Sequence, residues 1–181
     1  LARDCRVTIP CPQARTMKLH HRDFGGSGTP ILILHALFAS SKNWVTVGQH
    51  LSRHGHALAL DLRNHGGSPH TDSHSLGDLV ADLEQWIAEN LPAAPVLLGH
   101  SMGGLAAMAY ALAHPGQVRA LIVVDIAPRF YGHRYEGELA ALRLDLSRCR
   151  TRREVDEALT PQIPDPAVRS FFQMSVEKSE A

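Results

Sequence analysis

Apolar residues fall along the chain in two patterns. Residues 31–34, 57–60, 96–98 and 121–124 are short continuous runs bounded by turn residues or charges, as strands buried on both faces are. Between the runs, apolar residues recur at helical spacing. Leu76, Leu79, Val80, Leu83, Trp86 and Ile87 predict a helix over 75–91, closed by Pro92 and Pro95. Leu105, Met108 and Leu112 lie on one predicted helical face after Ser101, with alanines between them. Ser40 or Ser41 is placed to cap a helix carrying Trp44, Val47, His50 and Leu51. Residues 17–23 predict an edge strand. The glycine-rich turn at 25–30 precedes a strand rather than a helix, which argues against a phosphate cradle. The alternation of strand and helix predicts an α/β fold, a mostly parallel sheet with helices on both faces. Ligands of such sheets bind beyond the carboxyl ends of the strands, where His35, Asp61, Ser101 and Asp125 all fall.

The stretch from Pro95 to Pro115 carries the chemistry. An apolar run meets G-H-S-M-G, residues 99–103, and a helical pattern follows. That context makes Ser101 a nucleophile elbow. Gly99 and Gly103 remove the Cβ atoms that would keep strand and helix apart, and the first amides of the following helix suit a developing oxyanion. The alternative, a serine that only caps the helix, leaves the flanking glycines unexplained.

Composition narrows the rest. The 181 residues suit one domain, and Lys+Arg balances Asp+Glu at 18 each, which argues against nucleic acid or an anionic membrane as the main partner. The twelve histidines show no metal-ligand spacing, so no metal is expected; His65, His70 and His74 cluster in one loop. Cys5, Cys11 and Cys149 are odd in number and lack C-x-x-C, as in a reducing compartment. No apolar run is long enough to span a bilayer and the N-terminal stretch has no signal-peptide core, so a cytoplasmic protein is expected. Residues 1–16 lack periodicity and are expected to be a disordered or non-native extension, residues 17–128 the core, and residues 129–181 a partial helical cap with helices over 136–146, 152–159 and 167–176. Asp61, Arg63 and Asn64 are expected to brace the loop beside the elbow. Trp44 and Trp86 read as core residues.

Four motifs in order, L-H-A-L-F-A-S-S-K-N-W, D-L-R-N-H-G-G-S-P-H, G-H-S-M-G-G and V-V-D-I-A-P, resemble the α/β-hydrolase-fold serine esterases. Within them the chain is most similar to the YbfF-type acyl-ester hydrolases and their mitochondrial relatives, over about residues 17–174. The resemblance implies cleavage of a small acyl ester or thioester through an acyl-serine intermediate, with no cofactor. It makes Ser101 the nucleophile and Asp125 the acid, with an acid on a later strand as the alternative. The oxyanion donors it implies are the backbone N–H of Met102 and that of Leu37 or Phe38. Two departures stand out. Where the family has His-Gly this chain has His35-Ala36, which would be strained if Ala36 took φ > 0. The family also places its catalytic histidine near the C-terminus, whereas only His114 and His133 follow Ser101. His114 sits about 20 Å along the helix at about 1.5 Å per residue, and His133 lacks a scaffold. The sequence therefore looks C-terminally truncated, and the alternative reading is a non-catalytic hydrolase-like chain.

Overall fold

The computed structural model describes residues 17–129, 131, 136–174 and 176. The apolar runs form strands β2 (Pro30–Leu34), β3 (His56–Leu60), β4 (Val96–His100) and β5 (Ala120–Val124). With β1 (His21–Asp23) they make one sheet in the order β1-β3-β2-β4-β5. β2 pairs in parallel with β3 and β4, β4 pairs in parallel with β5, and β1 runs antiparallel to β3.

Alternation along the strands divides the core. Leu32, Leu34, Leu58, Leu60 and Leu97 pack with Leu79, Leu83 and Trp86 of α2 (Leu76–Asn90) and with Ala106, Ala107 and Tyr110 of α3 (Met102–Ala113). Ile33, Ala59 and Leu98 form a separate cluster with Phe24, Trp44 and Leu51. Trp44 ends a 3₁₀ turn, Ser41–Trp44, and Leu51 ends α1 (Val45–Leu51). The caps follow the sequence. Ser40 and Ser75 each accept a backbone N–H of the turn they start, and Asn43 and Asp78 reach back to complete capping boxes.

Three expectations need correction. The buried face of α3 consists of Gly103, Gly104, Ala106, Ala107 and Tyr110, whereas Leu105 and Met108 are half-buried and Leu112 is 82% exposed. The helix lies so close to the sheet that only small side chains fit beneath its first turns. β5 is not buried: Leu121, Ile122 and Val124 are 39–45% exposed, because among the described residues no strand pairs with its outer edge. The helix expected over 136–146 stops early, as α4 (Glu136–Ala141).

Two further helices follow, α5 (Arg152–Leu159), capped by Thr151 and Glu154, and α6 (Pro166–Gln173), capped by Asp165. Ala141, Val155, Leu159, Ile163 and Phe172 form their own small core, and Phe38 packs against it. Residues 1–16 with Cys5 and Cys11, and His133, lie outside the described residues. Among the described residues no helix is long and apolar enough to cross a membrane.

Candidate active site

At the end of β4 the chain reverses within one residue. Ser101 has φ 50° and ψ −116°, a region that typically costs a non-glycine residue about 1–3 kcal/mol. Surrounding contacts hold it there. Its N–H donates to Val124 O (3.0 Å), tying the bend to β5, and the N–H of Gly103 donates to His35 O (3.1 Å), tying α3 to the end of β2. A Cβ on Gly99 would overlap the Gly103 carbonyl, and one on Gly103 would collide with Leu34 O and lie 2.6 Å from His35 O. The glycines let three backbones meet at one point, and the serine takes up the strain. Its half-buried side chain makes no hydrogen bond to any described residue. The next amide, Met102 N–H, starts α3 and has no partner among the described residues.

The segment after β2 forms the facing loop. His35 is fully buried; its Nδ1 lies 2.8 Å from Ala36 O, and its Nε2 accepts from Leu62 N–H at 2.9 Å. The second contact makes Nε2 the acceptor, so the proton sits on Nδ1. Burial pushes its pKa down to about 4, so the ring is neutral near pH 7. Phe38, not Ala36, adopts the left-handed conformation, with φ 63°. The strain anticipated at Ala36 falls two residues later. Phe38 N–H donates to His65 Nε2 (3.2 Å), and His65 Nδ1 meets Arg63 O at 2.9 Å. Burial lowers the His65 pKa, which keeps Nε2 available as an acceptor. Leu37 N–H has no partner among the described residues. Of the three expected oxyanion amides, Leu37 and Met102 are therefore unengaged, and Phe38 is held by His65.

The bracing around this loop is as the sequence suggested. Asp61, 2% exposed, accepts from Ser41 N–H (2.5 Å), Gly67 N–H (2.9 Å) and His20 Nδ1 (2.8 Å). Burial works to raise its pKa, but the N–H groups of Gly67 and Ser41 and the His20 ring together hold it below the ordinary value. Arg63 grips Asp82 of α2 through Nε (2.6 Å) and Nη2 (2.7 Å), both side chains buried.

Asp125 follows β5 at φ 55°. Its neighbour in the register is Ser101, since His100 pairs with Val124 one step before. Its side chain is 85% exposed, with Oδ2 3.7 Å from His100 Nε2. His100 also meets Trp44 edge-on at 6.4 Å. The histidine beside the serine thus turns toward Asp125 and the α1 side. His114 caps the far end of α3, stacked on Tyr110 at 4.5 Å and 3.9 Å from Glu84. No described histidine hydrogen-bonds Ser101.

The histidine cluster differs from the one the loop spacing suggested. His35, His65 and His74 form a row with ring centroids 5.0 and 5.4 Å apart, ending where His74 Nε2 lies 3.4 Å from Met102 Sδ. Among the described residues no group of three His, Cys, Asp or Glu side chains is arranged to hold a metal ion. The His65–Phe38 bond was not visible in sequence, because the partners are 27 residues apart.

Comparison with known proteins agrees with the fold. A family model described as alpha/beta hydrolase fold matches residues 29–161. The chain is 33% identical over 165 residues to an sn-1-specific diacylglycerol lipase ABHD11 of Danio rerio, spanning 86% of this chain and 52% of that protein. It is 31% identical over 159 residues to a putative esterase/lipase of Haemophilus influenzae, spanning 84% and 54%. Among solved structures it superposes on a marine microorganism esterase with a TM-score of 0.84 at 36% identity, covering 91% of this chain and 66% of that one. The chain spans about half the length of the curated relatives it matches.

Proposed function

The chain belongs to the α/β-hydrolase fold family, and on that premise we propose that it is the nucleophile-bearing part of a serine hydrolase acting on carboxylic esters or acyl thioesters. One observation carries this reading: Ser101 sits in a strained bend at the carboxyl end of a central parallel strand, with its hydroxyl unengaged and two unpartnered amides on the adjoining segments. The relatives named as lipases and esterases support the same chemistry.

In the proposed reaction Ser101 Oγ attacks the acyl carbon while its proton passes to a histidine. The carbonyl oxygen becomes an oxyanion held by the N–H groups of Met102 and Leu37. Phe38 N–H serves instead as the tether that fixes the loop through His65. Collapse of the tetrahedral intermediate expels the alcohol or thiol, which takes the proton back. Water then attacks the acyl-serine by the same route and releases the acid. An oxyanion donor of this kind is worth about 3–4 kcal/mol in the transition state. Asp125 is proposed as the acid that orients the histidine, on the strength of its place beside Ser101 in the sheet. We further propose that residues 17–128 act as the core, and that 129–181 contribute to a cap under which the acyl group enters.

A fluorophosphonate probe should label Ser101 of the full-length protein and fail on Ser101→Ala. A folded protein that is not labelled would refute the reading. A second reading, slow acylation without turnover, is favoured by the lack of a hydrogen bond from any described histidine to Ser101. p-Nitrophenyl acetate separates the two: the first gives steady release, the second a single burst of one equivalent. Both signals should vanish in Ser101→Ala.

A further inference from the structure

We propose that His65 is a positioning residue for the oxyanion site, and that only its neutral ring holds the segment after β2 in place. This role rests on the serine-hydrolase reading above and adds a proton-controlled step to it.

The segment leaves β2 through a residue that has to be held. Phe38 takes φ 63°, a left-handed conformation that a bulky side chain seldom adopts unaided. Its N–H donates to His65 Nε2 at 3.2 Å. On the other side of the ring, His65 Nδ1 lies 2.9 Å from Arg63 O. A carbonyl oxygen can only accept, so Nδ1 carries the ring proton and Nε2 is left as a bare acceptor. The ring is thus set by its own loop in the one tautomer that the Phe38 amide needs. The Leu37 amide lies one residue earlier, and anchoring Phe38 N–H limits the rotation available to it.

Protonation reverses the contact. A proton on Nε2 sets two N–H donors against each other, and the Phe38 amide loses its acceptor. The groups around the ring do little to hold such a proton. The His35 and His74 rings lie 5.0 and 5.4 Å away between centroids, and His70 acts on the ring from the same loop as His74. A charge on any of the three repels one on His65. Asp61 acts in the opposite direction, but its oxygens are engaged by Ser41, Gly67 and His20. The Arg63 side chain is turned to Asp78 and Asp82 of α2, so its carbonyl is what meets the ring. Burial holds the His65 pKa below its ordinary 6.5. The ring is therefore neutral near pH 7, and release of the segment is confined to acid.

Nuclear magnetic resonance on this chain reads the switch without any reaction. As pH is lowered from about 7.5, the Phe38 amide proton should shift with the same midpoint as the His65 ring nitrogens, below about pH 6.5, while the Leu97 amide in β4 stays in place. In His65→Gln, whose Oε1 can accept where Nε2 did, the Phe38 amide should not titrate. A His65 ring that stays neutral until the chain unfolds, or a Phe38 amide that does not follow it, would overturn the proposal. Fluorophosphonate labelling of the full-length protein tests the positioning role. At about pH 7.5 His65→Leu should label Ser101 about tenfold more slowly than wild type, and His65→Gln within about twofold of it. On acidification the ratio of the His65→Gln rate to the wild-type rate should rise, which a merely structural histidine would not produce. Equal rates in His65→Leu and wild type overturn the role. Should His65→Leu not fold, the ratio decides, and a ratio constant with pH overturns it. No labelling of any variant, even with the two resonances titrating together, refutes the hydrolase reading itself and the positioning role with it.

Discussion

The chain leaves the sheet at the ends of β3 and β4 through two corners built on different physics. At the β3 corner, charged side chains do the holding. Asp61 gathers three donors and Arg63 clamps Asp82, while Asn64 takes φ 65°. At the β4 corner backbone contact does the holding. Gly99 and Gly103 let the backbones touch, and Ser101 takes φ 50° because sheet and helix leave no other path. A corner held by charge depends on pH. A corner held by backbone contact is indifferent to pH and tolerates almost no added atom. The nucleophile is placed on the second kind, where its position is fixed without engaging its hydroxyl.

Substitutions can break this contrast, beginning with the most severe. Gly103→Val should leave no folded protein by circular dichroism, since a Cβ there meets the carbonyls of Leu34 and His35 rather than movable side chains; a loss above about 5 kcal/mol is expected. At the other corner Asp82→Ala should cost about 3 kcal/mol in urea denaturation by taking away the closer of the two carboxylates that pair with the buried Arg63 guanidinium, leaving Asp78 at 3.3 Å. Arg63→Met combined with Asp82→Leu should recover most of that loss.

Acidification should act through the buried histidines and Asp61. His35 is held neutral by burial, with a folded pKa of about 4 against 6.5 unfolded. Below pH 6.5 the unfolded chain takes up a proton that the folded one refuses, so stability falls with pH until the folded ring also protonates near 4. The loss amounts to about 3 kcal/mol for this residue alone, and His65 and His74 are shifted in the same direction by burial. The lowered pKa of Asp61 adds a further decline as pH drops below 3.8. Denaturation curves at pH 7.5 and 5 should differ accordingly, and the difference should shrink in His35→Gln.

The two smallest effects concern the elbow. Ser101→Gly should abolish ester cleavage yet raise stability by about 1 kcal/mol through release of backbone strain. Leu112→Gln should change stability by less than about 0.5 kcal/mol, although by spacing it belongs to a core face.

Leu112 also shows where sequence reading stopped. Helical periodicity scores apolar bulk, and by bulk Leu105, Met108 and Leu112 outrank the glycines and alanines. The face that enters the core was chosen instead by how closely α3 approaches β4, a tertiary quantity. β5 shows a similar limit, because a run such as Leu121 to Val124 reads alike whether its strand lies inside a sheet or at its margin. The elbow was legible because its constraint is local: strand, serine and flanking glycines lie within a few residues. The bracing by Asp61 was legible from its position at a strand end. The tether between His65 and Phe38 was not, nor was the shift of strain from Ala36 to Phe38. Both depend on two loops meeting in space.

Phe38 belongs to both halves of the molecule: its amide is tied to His65, and its ring stacks on Phe172 of α6 at 5.0 Å. Any displacement of α6 therefore pulls on a segment that already has no conformational slack. Changes made far from the serine, on the outer helices, should register as altered turnover before they register as weaker grip on the substrate.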